Sequence, residues 1–189
     1  MDSRFDSERL LYAAKLLLSY AGGGMQRTNL IKSLFYLDLF WLRDTGATFT
    51  GARWVALPQG PVVDDYLEVL IHPLLQDPTV AEEEVRLGRM VAKRLHVHVE
   101  PPPPSDEHLE VVAHRVADFV GGKRAVDISE FTHENPAWQV AIEKGNGTAI
   151  NMVHALSQVT EDDPWLDEAL TDEERRQIAD LLAQDRYPL

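Results

Sequence analysis

Between Gly22-Gly23-Gly24 and Gly46 runs a segment in which apolar side chains recur every three or four residues. Leu30, Leu34, Leu37 and Trp41 form one stripe and Ile31 and Phe35 widen it, which is the period of an α-helix. Glycine stops it on both sides, because glycine tolerates the left-handed backbone that ends helices. Thr28 or Asn29 is the expected cap, and the aromatic-rich faces suit packing rather than exposure. Ahead of the glycines, Leu11, Ala14, Leu18 and Ala21 keep the same spacing. The two segments predict an α-hairpin of antiparallel helices with Gly22–Gly24 between them.

The punctuation that follows predicts the rest. Ala52–Leu57 reads as a short extended element leading into a Pro58-Gln59-Gly60 turn. Pro61 suits the first position of a new helix, with Asp64 and Asp65 in its first turn against the positive end of the dipole. Tyr66, Leu67 and Leu70 would give that helix its apolar face until Pro73. Glu84–Leu87, a turn at Gly88 and Met90–Val99 read as a β-hairpin, since His96-Val97-His98-Val99 alternates as strands do. Pro101–Pro104 is an extended polyproline spacer, too short to force the chain into separate domains.

Past the spacer, Ser105 is placed to cap a helix faced by Leu109, Val112, Val116 and Phe119 and ended by Gly121-Gly122. Asp127-Ile128-Ser129-Glu130 has a capping-box pattern, and Asn135-Pro136 opens the helix that carries Trp138. Thr171-Asp172-Glu173-Glu174 repeats the box before Ile178, Leu181 and Leu182, in a C-terminal helical tail of about 150–189. The expectation is a mainly α (α+β) fold: one domain over 1–189 with a small β-hairpin or sheet, for which a winged-helix-like core is one form.

Charge narrows the function. The net charge is -13, and only residues 1–60 are slightly basic, with seven Lys and Arg against five Asp and Glu. Residues 61–120 hold five against twelve, and 121–189 hold six against fourteen. Phosphate-neutralising proteins show a basic face instead, so nucleic acid is not the expected partner. Absence of cysteine removes disulfides and thiolate chemistry and fits a reducing cytoplasm. No apolar run is long enough for a membrane span, and Met1–Arg9 lacks the pattern of a secretory signal, so a cytoplasmic protein is expected.

The chemistry-bearing residues are few. His96 and His98, two apart on a strand, point the same way as two metal ligands could, yet no spacing singles out a third. His133 could be drawn with Asp127, Glu130 or Glu134 as a general acid–base pair, but no nucleophile elbow or phosphate loop accompanies it. No cofactor, metal or enzymatic activity is therefore expected. A helix-turn-helix over 26–43, with Arg27, Lys32, Arg43 and Arg53 as phosphate contacts and the 84–99 hairpin as a wing, gives the alternative of a DNA-binding transcriptional regulator. Against it, the would-be recognition helix carries Leu, Phe and Trp where base-reading polar groups belong.

Three blocks carry a family resemblance. They are Asn29–Asp38 running on to Leu42–Gly46, then Thr50–Val62 with its Trp54 and Pro58-Gln59-Gly60-Pro61, then Ile128–Trp138 with its Thr132-His133 and Pro136-Ala137-Trp138 ending. In this order they resemble the SocA-like antitoxin domain, also called Panacea, of bacterial and phage-associated proteins. The resemblance spans about residues 10–142; Ser33 departs from the usual apolar residue on a helix flank. It implies an antitoxin of a toxin–antitoxin system that neutralises a cognate protein toxin, encoded by an adjacent gene, by direct contact. Within the blocks and just beyond, Trp54, Gln59, Asp64, His133 and Trp138 are the residues placed near the contact surface, tryptophan being frequent among interface anchors.

Overall fold

One helix forms the centre of the molecule and the rest is laid around it. In a computed structural model of the chain, which describes residues 4–87 and 90–161, α1 is Ser7–Tyr20 and α2 is Arg27–Thr45. Asp6 caps α1 by accepting from the Glu8 and Arg9 amides, and Gly46, at φ +78°, ends α2 as its position in the sequence predicts. From Asn29 to Phe40 every residue of α2 is buried, so this helix is core on all sides rather than along one stripe. Trp41 is half-buried and meets Phe49 edge-on.

The cap expected at Thr28 or Asn29 is corrected: both lie inside α2, whose N-cap is Gln26. Asn29 instead donates from Nδ2 to the carbonyls of Val120 and Lys123, tying α2 to the end of α4 (Glu107–Gly121). The link between α1 and α2 is more than a glycine loop. Met25–Gln26 forms β1, paired antiparallel with β5 (Met90–Val97). Gly24, at φ +74°, is needed there because a Cβ would run into the Leu95 carbonyl.

Pro61 starts no helix. Gly60, at φ +100°, folds the chain back, so β2 (Trp54–Leu57) and β3 (Gly60–Val63) pair as a hairpin in the register Trp54↔Val63 to Leu57↔Gly60. β3 is an edge strand, where a proline withholds no ladder donor. Helical structure begins later, as a π-helical turn Leu67–Ile71 running into α3 (His72–Gln76), and Pro73 sits within α3 rather than ending it.

The second hairpin is β4 (Val80–Leu87) with β5, four residues longer at its start than the sequence pattern predicts. Its turn at Gly88 lies outside the described residues, as does the tail with Trp165, Ile178 and Leu182. α4 is capped by Asp106, not Ser105, and buries Leu109, Val112 and Val116. α5 (Ala125–His133) begins ahead of the capping-box pattern, because the Arg124 guanidinium takes Asp127 in two hydrogen bonds of 2.8 and 2.5 Å. Asn135 caps α6 (Pro136–Lys144) as expected, and α7 (Met152–Ala155) and α8 (Gln158–Glu161) follow β6 (Thr148–Ala149).

The sheets run β1-β5-β4 and β3-β2-β6, all antiparallel. The mainly helical α+β expectation stands. The order α1-β1-α2-α3-β4-β5 has winged-helix-like connectivity, with β2–β3 inserted between α2 and α3. No helix among the described residues is long and apolar enough to cross a membrane.

Candidate functional site

The tip of the β2–β3 hairpin, Leu57-Pro58-Gln59-Gly60-Pro61, is gripped from three helices. From α2, Lys32 Nζ donates to the Pro61 carbonyl at 2.7 Å. From α6, Trp138 Nε1 donates to the Leu57 carbonyl at 3.1 Å. At the end of α5, the His133 ring lies close to the Pro58 backbone and stacks on Trp138, with centroids 4.2 Å apart and planes 12° from parallel. The space left for Gly60 is correspondingly small. A Cβ there would sit 2.5 Å from Thr132 Oγ1 and 2.7 Å from Lys32 Nζ.

This grip is stiff for physical reasons. Pro58 and Pro61 have fixed φ and no N–H to satisfy, and the helix donors take up the Leu57 and Pro61 carbonyls. Lys32 is 1% exposed, and burial lowers its amine to about 7. Burial first, and then the nearby Lys32 amine, push the His133 imidazole below its ordinary value and so disfavour its charged form. Thr132 donates to Ser129 O, and Asn135 Nδ2 reaches the Ala155 carbonyl and Gln158 Oε1, pinning this corner to α7 and α8. Only Pro58 and Gln59 of the tip stand exposed. Beside them opens a groove of about 480 Å³ lined by Arg27, Ile31, Lys32, Gln59 and Leu67 among others.

Of the residues placed near the contact surface, three meet at this corner and two do not. Gln59 is exposed on the tip, while His133 and Trp138 hold it from behind. Asp64 lies beyond β3, in an exposed ion pair with Arg53. Trp54 is corrected from surface to core: it is 1% exposed and its indole N–H is taken by the buried Asp38 carboxylate at 2.9 Å. Asp38 also accepts from the Thr50 amide and hydroxyl; burial pushes its carboxyl up against the pull of these donors.

Lys32, a phosphate contact in the helix-turn-helix reading, is instead the floor of the site. Its signal in the sequence is a lone lysine among the apolar residues of α2. The other three cations of that reading also hold carboxylates already: Arg27 meets Glu82, Arg43 meets Asp44, and Arg53 meets Asp64. The segment in the place of a recognition helix, Leu67–Gln76, carries no Lys or Arg, the side chains that neutralise DNA phosphates.

His96 and His98 have ring centroids 4.7 Å apart, edge to face. Among the described residues no three His, Cys, Asp or Glu side chains gather closely enough to hold a metal ion.

No curated protein and no solved structure gives a significant match to the chain. A family model described as antitoxin SocA-like, Panacea domain, matches residues 30–139, more than half of the 189. The matched stretch opens inside α2 and runs just past Trp138, so it contains Lys32, the whole hairpin tip, Thr132, His133 and Trp138. The chain therefore belongs to the SocA-like antitoxin, Panacea-domain, family.

Proposed function

We propose that the protein is the antitoxin of a bacterial toxin–antitoxin pair, neutralising a cognate protein toxin by direct contact. It would act as a stoichiometric binder in the cytoplasm, with no catalytic step of its own. The observation that carries this reading is how the family-matched residues are used. Lys32, His133 and Trp138 are spent on holding one exposed turn in place, not on setting a nucleophile beside a base. The net charge of -13 supports fast association with a basic toxin, since complementary charge raises the encounter rate. Neutralisation would then be occlusion of the toxin's working surface.

The test is growth on induction of the adjacent gene alone and together with this chain, followed by affinity pull-down of the pair. Growth arrest by the neighbour, its relief on co-expression and a co-purifying complex are expected. A harmless neighbour, or rescue with no complex, would remove the mechanism. In a gel shift against its own promoter the protein is expected to give no salt-sensitive specific band.

A further inference from the structure

We propose that the groove beside the β2–β3 tip binds a small apolar carboxylic acid head first, its carboxylate on Lys32 and its body against Ile31, Val62 and Leu67. The site is independent of the antitoxin role and would stand or fall without it.

An unanswered charge is the first ground. Lys32 is 1% exposed, and among the described residues no carboxylate pairs with it. Its amine has three donors when protonated and uses one, on the Pro61 carbonyl. A buried ammonium without a counter-charge is costly, and burial takes this amine down to about 7. A carboxylate in the groove would supply both an acceptor and the missing charge. The other cation on the lining, Arg27, shares Glu82 with Lys93, so that one carboxylate faces two positive charges. Among the described residues no acidic side chain lines the groove, and its field is positive.

Depth and shape are the second. Lys32 sits at the floor, whereas Leu67, 42% exposed, stands at the mouth. Ile31 and Val62, nearly buried, are the apolar wall. A ligand that fits carries its charge at one end and an apolar body behind it. Asp and Glu side chains are too short to reach the floor and still cover that wall, which selects a free acid over a protein's acidic side chain. About 480 Å³ falls within the roughly 300–1,000 Å³ usual for small-ligand sites. A phosphate would call for several free donors together, but Arg27 already gives Nε and one terminal nitrogen to Glu82. Because Lys32 also holds the Pro61 carbonyl, a bound acid would touch the residue that fixes the exposed tip.

The test uses the full chain with octanoate and 4-phenylbutyrate as probes. Octanol, octylamine and acetate serve as uncharged, cationic and bodiless counterparts. Calorimetry reads the affinity, and the NMR signal of the Lys32 ε-methylene, assigned by its loss in Lys32→Met, reads the amine as pH is varied. The other titratable groups at the groove or against Lys32 are Arg27 of α2, Tyr66 ahead of the π-helical turn, and His133 at the end of α5, on which Glu130 also acts.

A Kd of about 1 mM or tighter is expected for octanoate, with the three counterparts at least about ten-fold weaker. With octanoate bound, the Lys32 amine should titrate at a higher pH than without it, because the acid favours the ammonium. Lys32→Met should weaken octanoate at least about ten-fold, and Leu67→Asp, which puts a like charge at the mouth, at least about five-fold. Val111→Glu, exposed on α4 and outside the groove, should stay within about two-fold of wild type. Thermal melts check folding; if Lys32→Met does not fold, Leu67→Asp and the amine titration decide. Absence of octanoate binding, equal binding by octylamine, or an amine titration that octanoate does not move would overturn the site. So would octanoate affinities unchanged in the groove variants. A blocked Trp-Leu-Asp-Glu peptide, the sequence of 165–168, binding more tightly than either acid would overturn the free acid as occupant in favour of a protein segment.

Discussion

The β2–β3 hairpin has four residues in each strand and β4–β5 has eight, yet the shorter hairpin is the more deeply buried. From Trp54 to Val63 only Leu57, Pro58 and Gln59 are not buried, whereas the described side chains of β4–β5 include just two buried ones, Val80 and Leu95. The short hairpin is held from outside, by Asp38 on Trp54 and by Lys32 and Trp138 on the tip carbonyls, with His133 stacked on Trp138. The long one is held largely by its own ladder, with Glu83 opposite Arg94 and Glu84 opposite Lys93. Local pairing makes a hairpin tolerant of single changes; tertiary clamping makes it rigid and exposes it to failure at each clamp.

The sharpest break of that contrast is Asp38→Ala. It removes the acceptor for the Thr50 amide, the Thr50 hydroxyl and the Trp54 indole, all buried. Orphaned buried donors are costly, so a loss of about 3 kcal/mol or more is expected in urea unfolding. Glu83→Ala on the exposed face of β4 is expected to stay within about 0.5 kcal/mol. Equal losses at the two positions would dissolve the distinction.

The same contrast explains what the sequence could disclose. The α2 helix, the Asn135 cap and the strand at Met90–Val97 depend on near neighbours and were legible, although His98 and Val99, read as part of that strand, lie past its end. Pro61 was not, because a helix start and an edge strand both accept a proline; what decides is the left-handed Gly60 squeezed between Thr132 and Lys32, which arrive from distant parts of the chain. Asp127 kept its capping pattern in the sequence, but Arg124, three residues before it, captured the carboxylate. Trp54 read as a surface anchor because nothing near it in the sequence supplies an indole acceptor, and Asp38 does so from the middle of α2. Of the site, Gln59, His133 and Trp138 are legible through the family blocks, whereas the role of Lys32 is not, because burial of a lysine is a tertiary fact.

Lys32 also gives the clamped hairpin a pH signature above neutrality. Its amine is near 7 when folded, against an ordinary value of 10.5. The unfolded chain therefore binds more protons between these values, and stability rises with pH across that window. This contribution is complete above the unfolded value and is lost as pH falls through about 7. Relative to Lys32→Met, which has nothing to titrate, the wild type should gain on the order of 2 kcal/mol from pH 7 to 9 in denaturant titrations. Parallel pH profiles would show that the amine is not desolvated.

Gly60→Ala tests the tip itself, by placing a Cβ against Thr132 and Lys32 at a φ that alanine resists. A cost of about 1–3 kcal/mol is expected, together with faster amide exchange at Gln59. Unchanged exchange would mean that the tip takes its rigidity from its two prolines alone.

A smaller effect than at either clamp should come where the long hairpin borrows an outside contact. Glu82 meets Lys93 of its own partner strand at 3.0 Å and Arg27 of α2, through Nε, at 2.6 Å. Burial raises its carboxyl, but the hydrogen bonds and charges of Lys93 and Arg27 more than offset this and hold it below the ordinary glutamate value. A lowered folded-state value means stability that is present above the unfolded value near 4.5 and lost as pH falls through the folded one. Glu82→Gln should thus cost about 0.5–1 kcal/mol at pH 7, less at high salt, with the difference fading as pH falls below the ordinary glutamate value. Lys93→Met in the same background should add little, because its partner is already gone. A loss at Glu82 as large as that at Asp38 would mean that Arg27 clamps β4 as Lys32 clamps the tip, and the two hairpins would then differ in length but not in kind.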